Sequence, residues 1–437
     1  MKKRITFIIL LVLSIHFCFA DIDWKNNSEE KIQGLVTVWS EVKFGFPYPD
    51  KLEDLGWENK FKEYLPRVIA AGDVDSYYNI LMELSTLLND SHTAVMPPWE
   101  YFKPGHDMPP VEVRVINDRF YIVELERTED ILENGIEIGT EILEIEGIPV
   151  RQYFQKNILK YYTQGSPHAS DVFYVIYLLF GPADETIDLK IRDIKGDIRE
   201  VALKRNSWEG KGPLIYEFAY NSLIADKIEY RFLKKNILYV KIPTFEKPGI
   251  AESFLEMIDS TNLSKVKGMI IDLRNNIGGS SKYCNSIVGS LIDEPVSSPY
   301  QHVRYYSAAH KAWGRKQLTD HKNNMIKPRD GKRYTGSIIV LINALTSSSG
   351  EDMAIELKAA KRAKIIGQYS TGGAGNTLIF ELPGGGYLRM ATFKATFPDG
   401  TEYIGTGIKP DVEISPSIED LIKSNDPVLN KALKMLK

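Results

Sequence analysis

The chain has 437 residues, a formal net charge of −4 and 26% charged residues. This length is sufficient for two or three domains. Because no excess of Lys and Arg creates a positive field, the composition does not support binding to nucleic acid or to an anionic membrane surface.

The N-terminus has the features of an export signal. Three basic residues in positions 2–4 precede an almost unbroken apolar run, 5–20, and a polar segment follows. A basic start, a short apolar stretch and a small final residue (Ala20) are typical of a secretory signal peptide, here residues 1–20. The apolar run is too short to indicate a permanent membrane span.

Cysteine usage bears on the fate of the exported chain. After removal of residues 1–20 only Cys284 remains, so no internal disulfide is expected. Lipidation of Cys18 is disfavoured, because the preceding segment, 15–17, lacks the small residues that usually precede a lipidated cysteine. We expect a periplasmic or extracellular protein with no membrane span after signal removal.

The first mature segment, residues 21–100, is predicted to form an N-terminal helical bundle. Apolar residues recur there at helical spacing, and residues 77–88 repeat this periodicity. Pro47, Pro49 and Gly56 are expected to separate the helices. The helical character is predicted to continue to about residue 96, before a proline-rich linker, 97–110.

The middle segment, residues 106–208, is predicted to form a β domain. Apolar and polar residues alternate over 111–115 and 121–125, and alternation resumes at 186–192 after an expected helix at 171–180. The strand-turn-strand segment 135–150 resembles the corresponding part of peptide-binding PDZ domains. The alternative is a generic small β domain.

The last segment, residues 218–437, alternates apolar strands with amphipathic helices, which is typical of a layered α/β core. The predicted strands are 237–242, 268–273, 337–342 and 363–367, and the predicted helices are 250–260, 282–291 and 352–363.

Ser348 lies where the strand 337–342 gives way to small polar residues and a helix begins. An enzyme can expose a nucleophile at such a helix N-terminus, with free backbone N–H groups beside it for an oxyanion. The alternative is a simple N-cap loop, because Ser, Thr and Asp favour helix starts for local hydrogen-bonding reasons.

A second loop, 272–280, contains Gly278 and Gly279 after an apolar strand. Glycines let the backbone turn sharply and leave N–H groups uncovered, as an oxyanion hole requires. A phosphate-binding loop is disfavoured, because no Lys-Ser/Thr pair follows. The glycine-rich segment 371–376 lies between two strands, which disfavours dinucleotide binding.

At this point four segments together resemble the C-terminal processing and tricorn-type serine peptidases. In chain order they are Asp272-Leu-Arg-Asn-Asn-Ile-Gly-Gly279, the segment 343–351 with the form Asn-X-X-Thr-X-Ser-X-X-Glu, Gly367 to Gly372, and Gly407-Ile-Lys-Pro-Asp411. The resemblance implies a multidomain α/β protein with a helical N-terminal domain, a PDZ-like domain and a catalytic core of the crotonase/Clp-protease type.

The resemblance also implies which residues carry the chemistry. In the processing branch a lysine base follows the nucleophile by about 25 positions, but Gly373 occupies that position here. Tricorn-like members use a Ser-His pair from the N-terminal region, which corresponds to Ser91-His92. A serine hydroxyl needs such a base, and an ordinary imidazole titrates near pH 6–7. We therefore expect His92 to be the base of Ser348.

The residue that orients His92 is left open between two candidates. Tricorn-like relatives supply a glutamate close before the segment that ends at Asp411, and the matching position here is Ile404. Glu402 lies two residues earlier, and a β-bulge would let it serve. Ser91 is the second candidate, through its hydroxyl.

The expected reaction is hydrolysis of polypeptide substrates through an acyl-enzyme, without metal or cofactor. Ser349 and one of Gly278 or Gly279 are expected to supply the oxyanion-hole N–H groups. One alternative is a catalytically inactive peptide- or ligand-binding protein on the same scaffold, and another is an adaptor whose middle domain captures peptide C-termini. An α/β-hydrolase is disfavoured, since no Gly-X-Ser-X-Gly occurs. The sequence also allows a homo-oligomer.

Overall fold

The computed structural model describes residues 23–98, 106–163, 165–206 and 224–436. The predicted signal peptide, 1–20, and residues 99–105 of the predicted linker lie outside these ranges. Within them, no helix combines the length and the apolar character needed to cross a membrane.

The N-terminal part is helical, as predicted. Asn27 and Asp73 each accept a backbone N–H at the start of a long helix, as N-cap residues do. The helices are α1 (Ser28–Gly45), α2 (Pro49–Asp54), α3 (Trp57–Ala70) and α4 (Val74–Thr86).

The helices do not form a self-contained bundle. The helical prediction was wrong for its last residues, which form strand β1 (Ala94–Met96) and pair with residues 387–389 from the other end of the chain. Leu382, Leu388 and Met390 complete the hydrophobic core of the helices. Pairing with a distant strand therefore overrides the local helical tendency.

The middle part is an antiparallel sheet of five main strands in the order Val111–Ile116, Arg119–Leu125, Glu141–Ile145, Thr186–Arg192 and Ile198–Lys204, with Val111–Ile116 at one edge. A short π-helical turn follows α6, and a 3-10 turn, Val175–Tyr177, extends α7. The elements are β2 (His106–Asp107), β3 (Val111–Ile116), β4 (Arg119–Leu125), α5 (Glu129–Glu133), β5 (Glu141–Ile145), β6 (Ile148–Pro149), α6 (Val150–Phe154), α7 (Pro167–Tyr174), β7 (Gly181–Pro182), β8 (Thr186–Arg192) and β9 (Ile198–Lys204).

The C-terminal part contains a six-stranded sheet in the order Glu229–Leu233, Ile237–Lys241, Gly268–Asp272, Ile338–Ile342, Ala363–Gly367 and Val412–Glu413, in which only the first pair is antiparallel. Its elements are β10 (Glu229–Leu233), β11 (Ile237–Lys241), α8 (Pro248–Ser260), β12 (Gly268–Asp272), α9 (Ser281–Gly289), β13 (Val296–Ser297), β14 (Tyr300–Tyr305), α10 (Ala308–Ala312), β15 (Leu318–Lys322), β16 (Met325–Ile326), β17 (Ile338–Ile342), α11 (Ser349–Ala359), β18 (Ala363–Gly367), β19 (Thr377–Glu381), β20 (Tyr387–Ala391), β21 (Lys394–Thr396), β22 (Val412–Glu413), α12 (Ile418–Ile422) and α13 (Pro427–Met435).

Both faces of this sheet are covered, which explains why its strands are continuous apolar runs. Leu238 and Val240 of β11 face α8, α9 and α11. Ile237 and Tyr239 alternate with them and face α13 on the other side. The predicted mixed α/β fold is confirmed, and the four core strands lie where the sequence predicted them.

Candidate active site

Ser348 is the N-cap of α11, which begins immediately after it at Ser349. The sequence prediction placed the helix start at Asp352, three residues too late. Ser348 has φ of 52° and ψ of −125°, a conformation that side-chain-bearing residues rarely adopt. Such strain persists where the surroundings impose it, and it is typical of functional sites. The strand end therefore presents a partly exposed serine on a tight turn.

The glycines of the second loop lie against this serine. A Cβ on Gly278 would lie 2.6 Å from the Cβ of Ser348, so only glycine fits there. The N–H of Gly278 donates to Oδ1 of Asn276 (2.9 Å) and is therefore engaged. Gly279 has φ of 129° and forms a parallel bridge with Phe245. Of the two glycines, Gly279 is the better candidate for an oxyanion donor.

Glu351, in the first turn of α11, connects Ser348 to a neighbouring loop. Its buried carboxylate accepts hydrogen bonds from the N–H of Ser348 (3.1 Å), the hydroxyl of Ser370 (2.5 Å) and the N–H groups of Gly372 (2.8 Å) and Gly373 (3.0 Å). Burial raises the pKa of Glu351 to about 8, although these hydrogen bonds act in the opposite direction. Sequence reasoning did not select Glu351, yet it is the final residue of the segment 343–351.

Gly373 contacts both Ser348 and the pair Ser91-His92. Its carbonyl accepts the N–H of Ser348 (3.1 Å). A Cβ built on Gly373 would lie 1.9 Å from Oγ of Ser91 and 3.2 Å from Nδ1 of His92. The Ser-His pair thus packs against the residue that also holds the backbone of Ser348. Among the described residues, no direct hydrogen bond joins the Ser348 hydroxyl to the His92 ring.

The surroundings of His92 keep its ring oriented and neutral. Oγ of Ser91 lies 3.0 Å from Nδ1, and the backbone N–H of His92 donates to Asp90 (3.0 Å). Burial, helped by the nearby Arg389, lowers the pKa of His92 to about 4. A neutral imidazole can accept a proton at neutral pH. The pKa of His92 is therefore lower than the ordinary histidine value that the sequence led us to expect.

The structure does not place Glu402 beside His92. The Glu402 side chain is 67% exposed and forms an ion pair with Lys394. It lies in an isolated bridge with Thr396, followed by a turn, so a simple bulge does not carry it to the histidine. In this part of the described structure, the side-chain contact to Nδ1 of His92 comes from Ser91.

The middle domain contacts the same loop, residues 370–373. The hydroxyl of Ser166 donates to the carbonyl of Thr371 (2.7 Å), and Nε2 of His168 lies 2.7 Å from the carbonyl of Ser370. Both residues belong to the start of α7. Sequence reasoning had set His168 aside, because only the tertiary structure brings it to this loop.

One residue in each of two recognised segments holds other parts of the chain in place. Arg274 binds Asp272 and reaches Asp426, at the start of α13, with two hydrogen bonds. Asp411 accepts the N–H of Ile365 (2.8 Å) and fixes the segment that leads into β22 to β18. In the described ranges, no group of three or more His, Cys, Asp or Glu side chains forms a possible metal site.

The site combines a strained serine, apposed glycines and a neutral histidine. This geometry agrees with the serine-type peptidases, the class that comparison with known proteins indicates. Residues 236–414 match the sequence model of Peptidase family S41. The predicted resemblance is therefore confirmed.

The curated relatives are distant. The carboxy-terminal-processing protease of Bartonella bacilliformis is 26% identical over 237 residues, which are 53% of this chain and 51% of that protein. The carboxyl-terminal-processing peptidase 1 of Arabidopsis thaliana is 21% identical over 354 residues, 79% of this chain and 64% of that protein. The chain spans about half the length of the first of these relatives.

A solved structure supports the fold over almost the whole chain. Mature CPAF in complex with lactacystin superposes with a TM-score of 0.72 at 18% identity, covering 94% of this chain and 98% of that one. The tricorn protease gives a TM-score of 0.50 at 18% identity over 94% of this chain and 36% of that one.

Proposed function

We propose that the protein is an exported serine endopeptidase, with Ser348 as nucleophile and His92 as general base. The observation that carries this proposal is the position of Gly373. Its carbonyl holds the N–H of Ser348, and its Cα faces the pair Ser91-His92. In the processing branch a lysine base is expected at this position. Here Ser91 and His92 fill the space that a side chain at 373 would need.

In the proposed reaction the hydroxyl of Ser348 attacks the scissile carbonyl while His92 takes its proton. The imidazolium then protonates the leaving amine, and water activated by the same histidine hydrolyses the acyl-enzyme. Ser91 positions the ring through Nδ1, so that the tautomer able to accept the proton is maintained. Closing of Ser348 onto His92 is expected when substrate binds, since catalytic hydrogen bonds often tighten only in the complex.

The oxyanion is proposed to bind to the N–H groups of Gly279 and Ser349. The N–H of Ser349 belongs to the first turn of α11, where helices leave N–H groups without intrahelical partners. The positive end of the helix dipole adds to the stabilisation of negative charge there.

We further propose that the middle domain is PDZ-like and delivers extended peptides to a crotonase/Clp-protease-like core. A cavity of about 430 Å³ lies between the edge strand β3, the helix α7 and the loop before Ser348. Val115, Val172 and Leu345 line it. An extended peptide can add to an unpaired strand edge. The helix α7, which lines this cavity, also contacts the loop 370–371, and this loop leads to Gly373 beside Ser348.

The alternative is a catalytically inactive binding protein on the same scaffold. The missing hydrogen bond between Ser348 and His92 in the described residues is the observation in its favour. A serine-directed fluorophosphonate distinguishes the two: stoichiometric labelling mapped to Ser348, and lost in His92→Ala, supports the peptidase. Absence of labelling in a folded protein, together with retained peptide binding, would favour the binding protein.

A further inference from the structure

A second cavity, of about 440 Å³, opens beside the nucleophile. Ser348, Ser349 and Gly279 line one end of it, so it adjoins both the attacking hydroxyl and the proposed oxyanion donors. A substrate whose carbonyl reaches Ser348 would direct a neighbouring side chain into this space. The chemistry of its walls therefore bears on which side chains are accepted.

One wall of this cavity is acidic. Asp352 and Glu356 both line it, and their spacing of four residues on α11 places them on one face of the helix. With a rise of 1.5 Å per residue, Asp352 lies about 6 Å and Glu356 about 12 Å along the helix beyond Ser348. Only a long side chain would reach this part of the cavity.

These acceptors lack strong donors in the described structure. Asp352 accepts one hydroxyl hydrogen bond from Ser281 (3.2 Å), and the buried Glu356 has a weak thiol contact with Cys284 (3.7 Å). Oδ1 of Asn285, which lines the same cavity, is buried without a hydrogen-bond partner. Three acceptors that face one cavity and lack good donors indicate a ligand group that donates.

The ionisation of the two carboxyl groups depends on what occupies the cavity. Burial raises the pKa of Asp352 to about 6, and burial together with Asp352 raises the pKa of Glu356. A positive charge brought between these carboxyl groups would favour their ionised forms. Lys282, which also lines the cavity, is an exposed residue.

We propose that this cavity is the pocket for the substrate residue on the acyl side of the scissile bond and that it accepts a lysine or arginine side chain. The four-carbon stem of lysine suits the depth of Asp352, and the longer guanidinium of arginine approaches Asn285 and Glu356. This inference rests on the proposed function, because it assumes that Ser348 attacks a peptide carbonyl.

The test compares peptides that differ only in the residue before the cleaved bond: arginine, lysine, norleucine or glutamate. We expect kcat/KM for the two basic peptides to exceed that for norleucine by about 10- to 100-fold, the range that hydrogen bonds to charged groups supply. Asp352→Asn should reduce this preference for both basic residues. Glu356→Gln should reduce it more for arginine than for lysine. Glu256→Gln, on an exposed part of α8, is the control with the same change in net charge.

A binding measurement separates this inference from the proposed function. The fluorescent arginine mimic p-aminobenzamidine is titrated into the Ser348→Ala variant. This measurement does not depend on catalysis. Saturable binding that weakens about ten-fold in Asp352→Asn but not in Glu256→Gln supports the pocket. Fluorophosphonate labelling of Ser348 without a preference for basic peptides overturns the pocket and leaves the nucleophile assigned. Absence of p-aminobenzamidine binding overturns the pocket even if no peptide is cleaved.

Discussion

Replacing Gly373 by alanine should disconnect the histidine from the serine. The added Cβ would lie 1.9 Å from Oγ of Ser91, whereas such contacts are almost never shorter than 3.0 Å. The hydroxyl must therefore move by about 1 Å, and Ser91 is 5% exposed with little space to move into. The hydrogen bond to Nδ1 of His92 is then lost. Because Gly373 does not have a positive φ, alanine adds no backbone strain.

The expected loss of activity is large compared with the loss of stability. A displacement of about 1 Å in a catalytic group costs about 100-fold in kcat, while overpacking of a buried site costs about 1–3 kcal/mol of folding free energy. Peptide hydrolysis gives kcat and KM, and thermal unfolding gives the stability. Gly72→Ala is the matched control, because nothing lies within 4 Å of its added Cβ and its φ is not positive. It should leave kcat unchanged.

A double variant tests the proposed cause. Ser91→Gly removes both Ser91 atoms nearest the new Cβ, so Gly373→Ala should cost little more activity in that background. The reasoning is refuted if Gly373→Ala turns over like the parent. It is equally refuted if the effects of the two substitutions on kcat simply multiply, since the clash would then not act through Ser91.

Four further outcomes are expected. The acid limb of kcat/KM should fall near pH 4 instead of 6–7, as the lowered pKa of His92 requires, and titration of a group near 6.5 would contradict this. As pH falls from about 6.5 to 4, His92 binds a proton in the unfolded chain but not in the folded chain, so about 3 kcal/mol of folding stability should be lost. Denaturant unfolding measures this loss, which should be smaller in His92→Gln. Ser91→Ala should lower kcat by about ten-fold or more, whereas Glu402→Gln should leave it within about two-fold; the reverse order would restore Glu402 as the orienting residue. Val172→Lys, in the cavity beside β3, should slow cleavage of long unfolded substrates but not of short peptides, and equal slowing of both would refute peptide delivery through it.

The sequence by itself determined the elements whose cause is local. The strands β11, β12, β17 and β18 are apolar runs because both faces of their sheet are covered, and the helices between them follow from periodicity. The turn at Ser348 was visible because a strand end, small residues and a helix start are adjacent in the chain. Ser348 and the pair Ser91-His92 were selected as candidates from motifs of neighbouring residues in the same way.

Only the tertiary structure decided how distant segments combine. The end of the predicted helix forms strand β1 because it pairs with β20. The same pairing places Ser91 and His92 beside Gly373. The choice of Ser91 over Glu402 as the contact to the histidine, and the four hydrogen bonds of Glu351, depend on the same packing. Periodicity and motifs report which face of an element is apolar and which residues are neighbours along the chain. They do not specify which segments hundreds of residues apart share a contact, because that is determined by how the buried surfaces of the whole chain fit together.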